Sequence, residues 1–150
     1  MGLIAKNKFA YFDYHILEKM EAGIVLTGPE VKAVKLGHVD LKGAYVTIKN
    51  NEAWLINCHI SPYKMASAAQ KNYQPSRSRK LLLKHQEIKS LIGKTKAKGL
   101  TLLPLSIYTT RRLIKLTLGL GRGKKKYDKR QIIKKRDLDR QISRALRGRL

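Results

Sequence analysis

Cations set among polar and aromatic neighbours are the residues of this 150-residue sequence best suited to chemistry, and that chemistry is the holding of phosphates and bases. Arg77-Ser78-Arg79-Lys80 follows the turn-forming Tyr73-Gln74-Pro75-Ser76, which would set two guanidinium forks on a loop where they match phosphate oxygens; a solvated loop is the competing reading. The run Gly123-Lys124-Lys125-Lys126-Tyr127-Asp128-Lys129-Arg130 places one aromatic ring amid cations. Such a ring can stack on an unpaired base while its neighbours neutralise phosphates, although a nonspecific basic tail has the same composition.

Bond-making chemistry finds little support. His15, His38, His59 and His85 fall in four separate segments without ligand spacing, so no metal site is expected, and His59 reads as a hydrogen-bonded structural residue. Gly119-x-Gly121-x-Gly123 runs into lysines rather than opening a strand-to-helix nucleotide unit. Carboxylates are few and scattered, so spacing proposes no acid/base pair. Cys58, the lone cysteine, excludes an internal disulfide and any multi-thiolate site, and its apolar surroundings predict a buried thiol. The reading is a non-enzyme without a cofactor.

Net charge explains why binding should dominate. With 33 Lys+Arg against 10 Asp+Glu the formal charge is +23, while 43% hydrophobic residues suffice for a core. Self-repulsion of that size disfavours a compact monomer and is relieved by a polyanion that releases counterions, which makes nucleic acid the expected partner. No apolar run approaches the roughly 18 residues of a membrane span. The start, Met1-Gly2-Leu3-Ile4-Ala5-Lys6, offers no signal region and no acylation motif, so a cytoplasmic location is expected. Charge density steps up at Gly119-Leu120-Gly121-Arg122-Gly123, dividing the chain into a body, 1–121, and a basic tail, 122–150.

The elements that must carry these groups are mostly strands. Ile114, Leu116, Leu118 and Leu120 alternate with Lys115, Thr117 and Gly119, and Leu100 to Tyr108 would pair with that strand through the turn Thr109-Thr110-Arg111-Arg112, with Pro104 at a bulge or an edge. Ala44, Val46 and Ile48 lead through Asn50-Asn51 into a second run whose inward residues are expected to be Trp54, Ile56 and Cys58. The first strands are expected over Phe9 to Glu18 and Gly23 to Leu26, before a short helix opening at Gly28-Pro29 with Val31, Val34 and Leu36 facing inward. Leu81, Leu82, Ile88, Leu91 and Ile92 fit a helical stripe, with helix expected at least over Gln86 to Lys96 and Gly99 as its stop. The fold class is mainly β: an oligonucleotide-binding-type antiparallel barrel with two or three helices.

Beyond the barrel, Leu138, Ile142, Ala145 and Leu146 share one narrow stripe at helical spacing, with Ile132 at its edge. Lys134-Lys135-Arg136 repel one another, so this segment should be disordered alone and fold in an anionic groove. A membrane-surface helix would carry Trp or Phe on the apolar face, and none is there.

Several words of the sequence occur in the order found in one family. They are Asn7-Lys8, the stretch Glu21-Ala22-Gly23-Ile24-Val25-Leu26-Thr27-Gly28, Glu30-Val31-Lys32, His59-Ile60-Ser61-Pro62-Tyr63, Arg77-Ser78-Arg79-Lys80-Leu81-Leu82-Leu83, and Gly123 through Arg130. Along nearly its whole length the chain resembles the small protein B family, the SsrA-binding proteins of bacterial trans-translation. The resemblance implies an adaptor for transfer-messenger RNA that meets elongation factor Tu only indirectly, through the RNA. It implies an RNA-binding face at Asn7, Glu21 and Leu82, with Arg77, Arg79 and Lys80 as the nearby basic loop. It also implies a tail that fills the vacant messenger channel of a stalled ribosome. There Lys124, Lys125, Lys126, Tyr127, Asp128, Lys129, Arg130, Lys134, Lys135 and Arg136 would line the decoding centre of the small subunit, Tyr127 stacking where histidine is also common. Composition alone fits a second reading, a ribosomal or ribosome-assembly protein embedded in ribosomal RNA.

Overall fold

The structure, a computed structural model, describes residues 2–66, 71–96, 99–124 and 126–148. Its spine is the hairpin of β8 (Leu100–Thr110) and β9 (Leu113–Gly123), in register from Leu100 opposite Arg122 to Thr110 opposite Leu113. The two-residue turn puts Arg111 at φ 48° and Arg112 at φ 68°, the left-handed pair that matches strand twist, and the register slips at Pro104, the expected bulge. Gly119 leaves room for the buried Leu105 side chain: a Cβ there would lie 2.6 Å from Leu105 Cδ1.

The remaining strands close a ring on this hairpin. β2 (Tyr14–Ile24) pairs with β9 along most of its length and passes to β7 (Arg79–Leu82) at Gly23 and Ile24. β7 pairs with β5 (Glu52–Ile56), β5 with β4 (Tyr45–Lys49), and β4 returns to β8 through Val46 opposite Leu102. All these pairings are antiparallel, so β8-β4-β5-β7-β2-β9 form a closed barrel, with β1 (Gly2–Lys6) added along β8 and a short separate pair, β3 (Val39–Asp40) with β6 (His59–Ile60). Leu55, Leu81, Leu116 and Leu118 fill the interior, and Val34 of α2 (Gly28–Lys35) and Leu91 of α3 (His85–Thr95) join the same core. Cys58 is fully buried in it, and burial pushes its thiol up to about 11. The mainly β fold is as expected, with α1 (Lys8–Asp13), α2 and α3 as the body's helices.

Local readings fail where a cap or a positive φ overrides alternation. Phe9 to Asp13 is helix, not strand: the Asn7 side chain accepts from Ala10 N at 3.2 Å and caps a turn that aromatic residues alone would not favour. The inward residues of β5 are Ala53 and Leu55, with Trp54 and Ile56 facing outward. Asn57 at φ 60° then shifts the parity, which is how Cys58 returns to the core. Leu81 and Leu82 belong to β7 rather than the helical stripe, and Leu36, at the end of α2, is 61% exposed. Strand β9 runs beyond the expected boundary at 121, pairing Arg122 with His15 and Gly123 with Tyr14.

Candidate RNA interface

Register alone assembles an outward row across four strands. Tyr108 of β8 lies opposite Lys115 of β9, Lys115 opposite Gly23 of β2, and Gly23 opposite Leu82 of β7. Glu21, two residues from Gly23, shares this face. Its carboxylate Oε2 accepts a hydrogen bond from the Tyr108 hydroxyl, and Oε1 lies 3.9 Å from Lys115 Nζ. Burial and the Glu21 carboxylate together push the Tyr108 hydroxyl up to about 12, so it stays a donor throughout the physiological range. Leu82 is 54% exposed and leans over Gly23, where an added Cβ would meet its Cβ at 3.2 Å. The expected pair Glu21 and Leu82 is therefore brought together, with an apolar floor, one carboxylate and a cation. Tyr108 and Lys115 were not readable as members: they are some 90 positions from Glu21, and only the strand register brings them near.

The basic loop is organised differently from the expectation. Arg79 does not stand on a loop with a free fork; it lies in β7, fully buried. Its Nε donates to Glu30 Oε2 at 2.7 Å, Nη1 to the Cys58 carbonyl at 2.6 Å, and Nη2 to the Pro75 carbonyl at 2.8 Å and the Tyr73 hydroxyl at 3.0 Å. With every arm used, it cannot grip a phosphate. Arg77 also donates to Glu30, from Nη2 and from Nε at 3.2 Å, and from Nη1 to the Ser78 carbonyl at 3.3 Å, but its side chain keeps 33% exposure and its two terminal nitrogens each keep a further N–H for a phosphate. Lys80 pairs loosely with Glu52 at 3.4 Å and remains half-exposed.

Glu30 is the hub that spacing did not single out, though Thr27-Gly28-Pro29-Glu30 is a capping-box word. Thr27 N donates to Glu30 Oε1 at 2.9 Å, and Glu30 N to Thr27 Oγ1 at 3.3 Å. Burial alone would raise the Glu30 carboxyl, but hydrogen bonds from Arg77, the Thr27 backbone and Arg79 outweigh it and hold the group at about 2.

Asn7 lies apart from the Glu21 row and is buried. Besides capping α1, it donates through Nδ2 to the Pro104 carbonyl at 2.9 Å, so its visible duty is to pin α1 to β8.

The tail residues follow as α4 (Lys126–Gly148). Lys124 Nζ donates to the Tyr11 carbonyl at 3.0 Å, and Lys129 Nζ meets Asp13 Oδ1 at 3.1 Å, so both dock against the end of α1. The Arg136 guanidinium lies 5.5 Å from the Phe12 ring. A cleft of about 750 Å³, lined by Phe9, Phe12, Ile133, Arg136 and Arg140 among others, separates the helices. Arg130, Lys134 and Lys135 are exposed, as are Leu138, Ile142 and Leu146 of the apolar stripe. Lys125 lies outside the described residues; Lys126, Tyr127 and Asp128 form the first turn of α4. No helix among the described residues is long and apolar enough to cross a membrane.

The SmpB protein family model matches residues 4–148. The chain belongs to the SmpB family. An SsrA-binding protein of Carboxydothermus hydrogenoformans is 52% identical over 147 residues, covering 98% of this chain and 97% of the relative. One from Trichodesmium erythraeum is 50% identical over 145 residues, covering 97% and 92%. Among solved structures, a chain described as "tmRNA-SmpB: a journey to the center of the bacterial ribosome" matches with a TM-score of 0.68 and 44% identity, over 86% of this chain and 93% of that one.

Proposed function

We propose that the chain is an RNA-binding adaptor. It binds the transfer-RNA-like domain of transfer-messenger RNA and delivers it to stalled ribosomes in the bacterial cytoplasm, with no catalytic step of its own. Membership of a family whose relatives are SsrA-binding proteins, at about half identity over nearly the whole chain, carries this reading. The Glu21–Leu82 face supports it chemically, since it offers apolar surface and a fixed acceptor to nucleotides while the net charge of +23 attracts their phosphates. Elongation factor Tu is met through the RNA rather than through this chain.

The barrel is the RNA-docking body, and the segment from α4 onward is the probe of the empty messenger channel. Asn7, Glu21, Arg77, Lys80 and Leu82 belong to the docking side, Asn7 by holding α1 in place, and Arg79 acts there only by shaping the loop. The tail cations from Lys124 to Arg136 meet ribosomal RNA, with Tyr127 stacking in the decoding centre. Purification of the chain from cells followed by sequencing of the bound RNA tests the assignment: one small stable RNA is expected, and recovery of ribosomal RNA alone would favour a ribosomal protein instead.

A further inference from the structure

The carboxylate of Glu21 is out of keeping with its surroundings. In a chain of net charge +23, an exposed acidic group on a nucleic-acid face repels phosphate, which leaves it two uses: steering the Lys115 ammonium beside it and accepting hydrogen bonds from neutral donors. The hydroxyl of Tyr108 occupies Oε2, and Lys115 approaches Oε1 only to 3.9 Å, beyond hydrogen-bond range. One oxygen is thereby fixed in direction and left for a ligand. Gly23 leaves the floor beside it flat, and Leu82 supplies an apolar wall.

We propose that Tyr108 is a positioning residue for RNA recognition: it locks Glu21 so that Oε1 accepts from a neutral nucleotide donor, a ribose 2′-hydroxyl or a base N–H, while Lys115 meets the adjoining phosphate. This rests on the adaptor reading and adds the chemistry that it reads. A phosphate-only contact would gain nothing from an ordered carboxylate, and an unordered one would lose side-chain entropy on binding. The Tyr108 hydroxyl removes that loss without touching the RNA.

The test measures affinity of the full chain for the transfer-RNA-like domain. Tyr108→Phe should weaken binding about tenfold, as expected for losing support of a charge-assisted hydrogen bond. In a Glu21→Ala background the same change should cost nothing further. The salt slope should stay unchanged in Tyr108→Phe and fall by about 0.7 to 0.9 in Lys115→Ala. A purely structural tyrosine would give equal losses in both backgrounds, which would overturn the proposal, as would full affinity in Tyr108→Phe. A second arm keeps the protein unaltered and scans the RNA with single 2′-deoxy replacements and with single base replacements that each delete an amino group: inosine for guanosine, purine riboside for adenosine and pyrimidin-2-one riboside for cytidine. A sensitive 2′-deoxy position assigns the ribose, a sensitive base position assigns an amino group, and either sensitivity should vanish with Glu21→Ala. Flat scans would overturn the proposal while leaving the adaptor reading intact, whereas failure of the unaltered chain to bind this RNA would overturn both.

Discussion

Arg77 and Arg79 stand two positions apart and make opposite use of the same side chain. Arg79 spends its donors on Glu30, Tyr73 and the carbonyls of Cys58, Pro75 and Arg77, whereas Arg77 shares Glu30 and keeps a third of its side chain in solvent. Arg79→Ala should therefore lower stability by about 3–5 kcal/mol, the cost of leaving a buried carboxylate underpaired. Urea unfolding measures it, and the surviving folded protein should bind RNA with an unaltered salt slope. Arg77→Ala should instead reduce the slope by about 0.7 to 0.9, one phosphate contact; a drop for Arg79→Ala in place of Arg77→Ala would reverse the assignment. Glu30 also sets an acid limit. Its carboxyl lies near 2 in the folded chain against an ordinary 4.5, so between those values the unfolded state holds more protons. The stabilisation is complete above about 4.5 and is lost as pH falls toward about 2. Denaturation midpoints followed from pH 6 to pH 2 should fall across that window, and Glu30→Gln should start lower and fall less steeply.

At the scale of elements, what could be read from sequence and what could not separates by the range of the forces involved. Strands β8 and β9 and their turn were legible because alternation and turn chemistry are local, as was the β4–β5 hairpin at Asn50 and Asn51, which take φ 53° and 57°. Helix α1 was not, because its aromatic residues read as strand and the Asn7 side chain that caps it through Ala10 N is itself held by the Pro104 carbonyl, 97 positions away. The face of β5 was missed for a related reason: Asn57 changes parity by a backbone angle that no spacing reveals. Of the candidate site, Glu21 and Leu82 were legible only through family resemblance, since a carboxylate and a leucine carry no compositional signal for RNA. Asn7→Ala removes the cap of α1, worth about 1 kcal/mol, and leaves the Pro104 carbonyl short of a donor, worth about 1–3 kcal/mol. Thermal melting should show a loss of about 2–4 kcal/mol, and Asn7→Ser, which keeps a capping oxygen, should recover part of it. Equal losses in both would mean that the cap contributes nothing.

For the whole molecule, the question is where the body ends. The charge step suggests 121, but the barrel continues: Arg122 and Gly123 pair with β2, Lys124 N donates to the Asp13 carbonyl at 2.8 Å, and Lys124 Nζ reaches Tyr11. A chain stopped at 121 loses strand pairing as well as tail, so a functional defect in it cannot be assigned to either. A chain stopped at 125 retains every one of these contacts and sheds ten cations and three carboxylates, leaving a net charge of +16. If docking belongs to the barrel, the 1–125 chain should melt nearly as the full chain does, apart from the small contributions of the Lys129–Asp13 pair and of Lys129 and Arg136 against the Phe12 ring, and bind the isolated transfer-RNA-like domain within a few-fold of it. Its salt slope should be nearly unchanged, because charge that makes no phosphate contact releases no condensed counterions. Peptide tagging on stalled ribosomes should nevertheless disappear, since no cationic helix remains to enter the messenger channel. Two results would break the division. Tagging at the full rate would show that the tail is dispensable, and a salt slope reduced by several units would place α4 on the transfer-RNA-like domain itself rather than on the ribosome.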